Sequence, residues 1–343
     1  MGATRSRAWF VDRYGGPERL TLRERPDPEP GPGEVLVRTA AIGLNFADLF
    51  VRSGDYPGTP TAPFVPGMEV SGTVQAAGEG SGFAPGQRVV AVPLFGGHAE
   101  AVLVPAARVF ALPDGVDLVE AAAMPVVFLT AWYIAERAAI APEERAIVTA
   151  AAGGVGTALL QVLGLRGARR LALVGSEGKR GLCDALGAEA SGVYAEAPAL
   201  VARVFGGSAD VVADAIGGRI FPRLWGRLSP GGRYVLYGFA AASGAKGVAK
   251  LSAARELLAM GFLSPYSVVQ SCRALIGFNL SLLPDPRGTL RKAAGDIFAE
   301  WRAGRLRPIL GPRFPFGSLP DAHRALAGRG TTGKVLIVVG GAG

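Results

Sequence analysis

The stretch RAIVTAAAGGVGTALLQVLGL, residues 145–165, constrains the fold of this chain more than any other segment. Ile147 and Val148 favour a strand, a glycine-rich turn follows, and leucines then recur at helical spacing. A glycine turn that opens a helix presents backbone amides and the positive end of the helix dipole to an anion. The stretch therefore predicts a strand, a turn and a helix that bind the pyrophosphate of a dinucleotide.

The glycine spacing departs from the usual dinucleotide fingerprint at one position. Ala151 takes the first glycine position, while Gly153 and Gly156 take the second and third. A plain strand-to-helix turn is the alternative, but the strand before the turn and the βαβ pattern after it favour a dinucleotide. We expect the cofactor phosphates to lie against four consecutive residues, Ala152, Gly153, Gly154 and Val155.

The end of the second strand distinguishes the two nicotinamide cofactors. NADH usually meets an acidic residue there, about 20 residues past the glycines, on its ribose hydroxyl. This chain has Ser176, Lys179 and Arg180 in that region, and their hydroxyl and positive charges suit the 2′-phosphate of NADPH. Glu177 leaves NADH open, and an ordinary basic helix surface is the alternative for the two cations. NADPH is the predicted cofactor.

Composition narrows the class of protein. The 343 residues are 49% hydrophobic, enough for a large core and for two domains. The net charge of +8 comes from scattered Lys and Arg without a dense basic run, so anionic small molecules are favoured over nucleic acid. Two distant cysteines predict neither a disulfide framework nor a zinc cluster, which agrees with a reducing cytoplasm. No apolar run is long enough for a membrane span.

Short segments of strand composition fill residues 8–123, separated by pairs such as Pro85-Gly86. One helix interrupts them, with Asn45 as its N-cap and an apolar face that begins at Phe46. This pattern predicts a barrel-like or partly open β domain. The predicted strands are Ala8–Val11, Leu20–Arg25, Glu34–Ala41, Glu69–Ala77, Arg88–Val92 and Ala99–Val104.

From about residue 124, strands alternate with helices, which predicts βαβ units and a doubly wound parallel sheet. The fold class is α/β, with a β-rich domain beside the parallel sheet. The last part adds an amphipathic helix, Thr289–Ala303, and a closing strand, Lys334–Val339. The alternating elements are Arg170–Gly175, Lys179–Leu186, a strand ending at Tyr194, Ala199–Phe205, Ala209–Ala215, Gly232–Gly238 and Arg273–Phe278.

Five motifs in a fixed order carry a family resemblance: GLNFAD at 43–48, PGME at 66–69, GHAE at 97–100, AAAGGVG at 150–156 and GKV at 333–335. With them the chain resembles the zinc-free medium-chain dehydrogenase/reductases, within these the quinone oxidoreductases and the vesicle amine transport protein group. The resemblance implies a GroES-like catalytic domain, residues 1–123 and 282–343, with a Rossmann domain, residues 124–281, inserted between its halves. A homodimer is the expected assembly.

The resemblance also bears on the reaction. Zinc-dependent relatives carry metal ligands at positions that correspond here to Asn45, Met68 and, approximately, Val126, none of which is a comparable ligand. A zinc-free site implies reduction of an activated C=C bond. NADPH would deliver hydride to the β-carbon of an enone, a quinone or an enoyl thioester, while hydrogen-bond donors meet the carbonyl oxygen and a proton reaches the α-carbon.

Tyr56 and Asn45 are the catalytic candidates. Tyr56 lies eleven residues after Asn45, where similar enoyl thioester reductases carry a catalytic tyrosine. Tyr56 either donates the proton or, if water does so, mainly shapes the pocket. The alternative is a loop tyrosine that only packs on the domain. Asn45 is expected at the nicotinamide end of the cofactor, where its amide donates to cofactor or substrate.

The family resemblance implies further cofactor contacts, at the positions of this chain that match those of the family. Thr130 is expected near the nicotinamide ribose and phosphates, and Tyr194 near the adenosine phosphate. Gly238 and Phe239 follow the carboxyl end of a strand, where ligands bind in such sheets. The backbone of Phe278, Asn279 and Leu280 is expected to meet the carboxamide.

Four other polar residues are interpreted as structural. Asp48 and Glu69 are expected to pair with backbone or with arginine. The two histidines, His98 and His323, have no partner at ligand or triad spacing, so surface or satisfied core positions are expected.

Residues 240–270 join an Ala/Gly/Ser/Lys segment to an apolar one. We expect them near the cleft or the dimer contact, where they bound the substrate pocket, and a plain core helix is the alternative. Overall, the sequence predicts an NADPH-dependent reductase of enones or quinones. A 2-enoyl-CoA reductase and a non-catalytic NADPH-binding sensor or scaffold are the two alternatives.

Overall fold

The computed structural model describes residues 4–242, 248–283 and 288–340. They divide into two compact units. The β-rich unit comprises the described residues up to Leu129 together with 288–302 and 308–340. The parallel-sheet unit comprises those from Thr130 to Leu283 together with Ala303–Arg307. The sequence-based domain limits, at 123/124 and 281/282, stay a proposal.

The described residues contain fifteen strands. They are β1 (Arg5–Val11), β2 (Leu20–Pro26), β3 (Glu34–Leu44), β4 (Val70–Ala77), β5 (Arg88–Ala91), β6 (Ala101–Pro105), β7 (Val109–Ala111), β8 (Arg145–Val148), β9 (Arg169–Val174), β10 (Ala190–Val193), β11 (Ala209–Asp214), β12 (Leu228–Leu236), β13 (Ala274–Gly277), β14 (Leu310–Pro315) and β15 (Lys334–Val338).

Eleven α-helices accompany these strands in the same ranges. They are α1 (Phe46–Ser53), α2 (Leu118–Ala121), α3 (Pro125–Arg137), α4 (Gly154–Leu165), α5 (Arg180–Ala185), α6 (Ala197–Phe205), α7 (Ile220–Trp225), α8 (Val248–Ala259), α9 (Pro265–Ser271), α10 (Thr289–Arg302) and α11 (Leu319–Ala327). In the part of the chain that is described, none of them is long and apolar enough to cross a bilayer.

The parallel-sheet unit has a six-stranded sheet of order β10-β9-β8-β11-β12-β13, in which every pair is parallel. The strand order reverses at β8, which has β9 on one side and β11 on the other. In open α/β sheets, ligands bind at the carboxyl ends of the strands at this reversal. The turn after β8 is the predicted nucleotide turn, so the fold places it where such sheets bind their ligands.

The β-rich unit has a seven-stranded sheet of order β14-β15-β3-β4-β5-β7, with β6 paired to β3, and a separate β1-β2 pair. Strand β3 runs three residues beyond its predicted end at Ala41 because Leu44 still pairs with Val335 of β15. Valines on alternate positions of these strands bury their side chains in one apolar core, as half-buried antiparallel strands do. Two short strands, β7 and β14, escaped the sequence analysis.

The predicted fold class, a GroES-like β-rich domain with a Rossmann sheet, is confirmed by this architecture. Part of the predicted Ala/Gly/Ser/Lys segment, residues 243–247, lies outside the described residues. The apolar part forms α8 and α9. Leu258 and Phe262 there are 79% and 91% exposed, which argues against a plain core helix.

Candidate functional site

The nucleotide turn connects β8 to α4 by close backbone packing. A Cβ atom on Gly156 would lie 2.3 Å from the carbonyl oxygen of Ala150 and 2.6 Å from the Cα of Ala151. Only glycine fits there, because neither contact can be relieved by a side-chain movement. Gly153 is the N-cap of α4, and its N–H donates to the oxygen of Ala150 at 2.9 Å. The first N–H groups of a helix have no helical acceptor, so the turn can bind an anion.

Ala150 opens this turn with a left-handed backbone, φ 48°. Its N–H donates to the phenol oxygen of Tyr194 at 3.1 Å, and the N–H of Ala151 donates to the oxygen of Leu173. The sequence predicted that Tyr194 packs near the adenosine phosphate. The structure places its hydroxyl on the turn itself, and the predicted ligand contact stays a prediction.

A buried carboxylate, Asp214, organises the neighbouring loop after β11. Its oxygens accept from Thr149 Oγ1 and from the Tyr234 hydroxyl, both at 2.7 Å, and from the N–H groups of Ile216 and Gly217 at 2.8 and 3.0 Å. Four donors satisfy this carboxylate, which is fully buried. This role was not predicted, although an aspartate inside the otherwise apolar run 211–216 was a visible signal.

The end of β9 carries the residues predicted to select the cofactor. Ser176 and Glu177 are exposed, and Lys179 is partly desolvated, which lowers the pKa of its ammonium. Arg180 donates to the oxygen of Ser191 and to the Glu177 carboxylate. Glu177 thus pairs with Arg180 through one of its two oxygens, and its alternative role on a ribose hydroxyl stays a prediction.

The other predicted cofactor residues occupy different environments of the parallel-sheet unit. Thr130 is buried on α3. A Cβ on Gly238 would lie 2.8 Å from the oxygen of Ala215, so two backbone segments approach closely there. Phe239 is exposed, and the Asn279 side chain accepts from the N–H of Ser281, beside Leu280. Phe278 stacks on Tyr133 with ring centroids 4.6 Å apart. Their contacts with a ligand stay predictions.

In the β-rich unit, the side chain of Asn45 belongs to a buried ionic network. Its amide nitrogen donates to Glu69 Oε1 at 2.8 Å and, weakly, to the oxygen of Gly43 at 3.4 Å. Its amide oxygen accepts from Lys334 Nζ at 2.6 Å, and Lys334 also forms an ion pair with Glu69. Glu69 accepts from the N–H of Val126 as well. The bond from Val126 confirms the expectation that Glu69 pairs with backbone, and the cation beside Glu69 is a lysine and not an arginine.

Asn45 is the residue before α1, as predicted, but its side chain is turned to Lys334 and Glu69 and not to the helix. The helix is capped from the other direction, since Asp48 Oδ2 accepts from the N–H of Asn45 at 2.8 Å. This contact confirms the expectation that Asp48 pairs with backbone. The burial of Asp48 raises the pKa of its carboxyl to about 7. Both amide hydrogens of Asn45 point at protein oxygens, so donation to a ligand would use the weak Gly43 contact.

Tyr56 follows α1 and packs, half-buried, against the apolar core of the β-rich unit. Its carbonyl oxygen accepts from the N–H and the hydroxyl of Thr59, which fixes the turn around it. A catalytic role of Tyr56 stays a prediction.

The position that corresponds to the zinc site of relatives does not suit a metal ion in this chain. The ammonium of Lys334 lies between Asn45 and Glu69 and would repel a second cation. Met68, which directly precedes Glu69 in the sequence, is buried, and its thioether sulfur is only a weak hydrogen-bond acceptor. Within the described ranges, no three His, Cys, Asp or Glu side chains gather closely enough to hold a metal. Zinc independence of the reaction stays a prediction.

Comparison with known proteins agrees with this geometry. Residues 31–114 match the alcohol dehydrogenase GroES-like domain, and residues 186–337 match the family described as zinc-binding dehydrogenase. The chain is 32% identical to the synaptic vesicle membrane protein VAT-1 homolog of Rattus norvegicus, over 97% of this chain and 84% of the relative. It is 34% identical to quinone oxidoreductase-like protein 2 of Bos taurus, over 93% and 89%.

Among solved structures, the chain is similar to the quinone oxidoreductase from Thermus thermophilus, which was also determined in complex with NADPH. The identity is 38%, the TM-score is 0.81, and the match covers 97% of this chain and 99% of that structure. Matches of this extent, in both the β-rich and the parallel-sheet parts, show that the chain belongs to the medium-chain dehydrogenase/reductase family.

Proposed function

We propose that this chain is an NADPH-dependent oxidoreductase that reduces an activated C=C bond of an enone or a quinone without zinc. The observation that carries the proposal is the turn after β8. Its backbone is held by Tyr194 and admits only glycine at 156, and it lies where the strand order reverses. The quinone oxidoreductase of Thermus thermophilus, a similar protein, was solved with NADPH.

The preference for NADPH over NADH rests on the end of β9. Lys179 and the Ser176 hydroxyl offer a positive charge and a donor for a 2′-phosphate. Glu177, the one acidic residue beside them, is paired with Arg180. This pair neutralises part of the negative charge that would oppose a 2′-phosphate.

The chemistry divides between backbone and side chains. NADPH supplies the hydride when it is bound. The turn residues Ala152, Gly153, Gly154 and Val155 bind its phosphates. In the β-rich unit, Asn45 is oriented by a buried ion pair, and Tyr56 carries a hydroxyl on a turn fixed by Thr59. We assign to Asn45 a hydrogen bond to the carbonyl oxygen of the substrate or to the nicotinamide. Tyr56 either donates the proton to the α-carbon or only shapes the pocket.

A substrate panel tests this function. Quinones, enones and 2-enoyl-CoA thioesters are offered with NADPH, and the loss of absorbance of the reduced nicotinamide is measured. Turnover of quinones or enones supports the proposal. Turnover of 2-enoyl-CoA thioesters alone would show that the protein is instead an enoyl thioester reductase. Tight NADPH binding without turnover of any of these would show a non-catalytic NADPH-binding protein and overturn the reductase.

The variant Tyr56→Phe separates the two roles of Tyr56. A general acid contributes about 10²–10⁴-fold to a rate. If Tyr56 donates the proton, kcat for the best substrate falls by about 100-fold. The solvent deuterium isotope effect that arises from the Tyr56 proton should then be absent from the remaining reaction. If kcat changes by less than about threefold while KM rises, the hydroxyl only shapes the pocket.

The assembly is proposed to be a homodimer formed through the edge of the parallel sheet. Strand β13 has β12 on one side and, within the described residues, no strand on the other. Large exposed apolar side chains occur on β13 itself, on α8 and α9, and on the adjoining segments: Leu251, Leu257, Leu258, Phe262, Tyr266, Val269, Leu275 and Leu282. An unpaired edge strand can pair with the same strand of a second copy across a two-fold axis, and exposed apolar side chains favour such an interface.

Light scattering tests the assembly. A chain of 35.3 kDa should elute with twice that mass, and the double variant Leu258→Glu with Phe262→Glu should elute as a monomer. A monomeric mass for the unmodified chain would overturn the dimer. The cytoplasmic location stays a prediction.

A further inference from the structure

Four titratable side chains meet in the interior of the β-rich unit. Asp48 and Arg52 lie on α1, His98 lies in the loop before β6, and His323 lies on α11. Asp48, His98 and His323 are fully buried, and Arg52 is nearly so. His98 and His323 are the two histidines of the whole chain, and their rings are perpendicular with centroids 5.4 Å apart. The sequence analysis expected surface or satisfied core histidines.

Several polar atoms of this cluster have no hydrogen-bond partner among the described residues. They are Asp48 Oδ1, both ring nitrogens of His98, and His323 Nε2. An unsatisfied buried polar atom costs about 1–3 kcal/mol, so native proteins contain few of them. Four such atoms lie in this one cluster, so its polar groups are costly to bury.

The proton on His323 is fixed by its neighbour Arg52. A guanidinium N–H of Arg52 donates to His323 Nδ1 at 2.9 Å, and Arg52 Nε donates to the oxygen of Gly15. Because a guanidinium can only donate, Nδ1 must be bare and Nε2 must carry the hydrogen. Burial, His98 and Arg52 together lower the pKa of His323 well below its usual value. His323 therefore stays neutral.

His98 faces the capping carboxyl. Its Nε2 lies 4.0 Å from Asp48 Oδ1, about 1 Å more than a hydrogen bond, and neither atom has another partner among the described residues. Burial lowers the pKa of His98 to about 3, which excludes an imidazolium at neutral pH. The group that exchanges a proton near neutral pH is thus Asp48. If the two side chains move slightly closer, either His98 Nε2–H donates to the Asp48 carboxylate, or the Asp48 carboxylic acid donates to an unprotonated His98 Nε2.

The charges around Asp48 oppose each other. Burial above all, and Glu69 as well, favour the acid. The hydrogen bond from the N–H of Asn45 favours the carboxylate most, followed by the charges of Lys334 on β15 and Arg52 on α1. Glu18 and Arg324 act on Arg52 from outside the cluster. If His98 moved within hydrogen-bond distance, its Nε2–H would add to the influences that favour the carboxylate.

We infer that His98 is a positioning residue: it controls the protonation of Asp48, the carboxyl that anchors the backbone of Asn45. An ionised Asp48 accepts a stronger, charge-assisted bond from the N–H of Asn45 than a neutral one. The inference rests on the function proposed above, since Asn45 is a residue of the proposed site. The ionised state is the active one, so activity falls as pH decreases through the pKa of Asp48.

Nitrogen NMR of protein labelled with ¹⁵N-histidine tests the coupling without any substrate. All imidazole signals come from this cluster, and His98→Phe assigns those that remain to His323. Between about pH 5.5 and 8.5 we expect the His98 nitrogens to move, with a midpoint near the pKa of about 7 of Asp48, while staying neutral. The movement should vanish in Asp48→Asn. Flat His98 signals in the unmodified protein, or an imidazolium at about pH 6, would overturn the coupling.

The pH profile of kcat/KM tests the consequence. Below the midpoint the profile should fall about tenfold per pH unit. His98→Phe removes a donor to the carboxylate and should raise the midpoint by a unit or more, whereas His98→Gln, which keeps an N–H donor, should restore part of the shift. An unchanged midpoint in a folded His98→Phe variant contradicts the positioning role. If no substrate is reduced, only the proposed function fails, since the NMR titration stands independently.

Discussion

The parallel-sheet unit and the β-rich unit build their candidate sites from different material. The nucleotide turn is backbone, with its crucial positions, Ala150 to Gly156, contiguous in sequence. The network around Asn45 consists of side chains, and Lys334 reaches Asn45 across 289 residues of sequence. A backbone site depends on space and tolerates no added atoms. A side-chain site depends on charge balance and tolerates no missing partner.

The two units also satisfy buried carboxylates differently. Asp214 in the parallel-sheet unit receives neutral donors on every side. Glu69 in the β-rich unit receives an ammonium, and Asp48 keeps one oxygen without a donor among the described residues. A carboxylate whose oxygens all accept from neutral donors gives a rigid support. A site built from opposed buried charges responds to substitution and to pH.

The largest effect is expected from Lys334→Met. It leaves Glu69 as a buried charge without its cation, which costs about 3–5 kcal/mol in the free energy of unfolding. Urea unfolding of this variant measures the loss. In the double variant with Glu69→Gln, much of the loss should return, because no charge is left unpaired. Equal losses in the single and double variants would contradict a charge-balanced network.

A second, smaller effect is expected from Gly156→Ala in the nucleotide turn. The added Cβ meets backbone atoms at 2.3 and 2.6 Å, so the turn must shift away from its anion-binding shape. Overpacking costs about 1–3 kcal/mol, and we expect NADPH to bind about 100-fold more weakly by calorimetry. Gly181→Ala on α5 is the matched control, since no heavy atom lies within 4 Å of its added Cβ. Unchanged affinity in Gly156→Ala would place the cofactor elsewhere.

The smallest effect is expected from Tyr194→Phe. The N–H of Ala150 loses its acceptor, and a single neutral hydrogen bond contributes about 1 kcal/mol. The free energy of unfolding in urea should fall by about 1 kcal/mol, and NADPH affinity by no more than about fivefold. A loss as large as that of Gly156→Ala would show that Tyr194 contacts the cofactor directly, as the sequence analysis expected.

The comparison also explains what the sequence could predict. The turn, the βαβ alternation and the helix that begins at Phe46 follow from local spacing, so their positions were predicted within a few residues. Pairing between distant segments left no local signal: the extension of β3 to Leu44 depends on β15, and β14 lacks a strand pattern. Glu69 was expected to pair with backbone or with arginine; the backbone bond is present, but the lysine partner was not predictable because Lys334 lies far along the chain.

The side-chain cluster of Asp48, His98 and His323 was the least predictable feature. The two histidines lie far apart in the chain and have no sequence spacing that links them; only the fold brings their rings together. Asp214 is the opposite case. It ends β11 and accepts from the next residues, Ile216 and Gly217, as well as from two distant hydroxyls, and its single charge in an apolar run could have indicated its role.

The central claim is that the turn after β8 binds NADPH in preference to NADH. A fluorescence titration of the purified chain with each reduced cofactor tests it most directly. We predict that NADPH binds at least about tenfold more tightly than NADH, a difference of about 1.4 kcal/mol from the 2′-phosphate. Equal or tighter binding of NADH, or no binding of either cofactor, would contradict the claim.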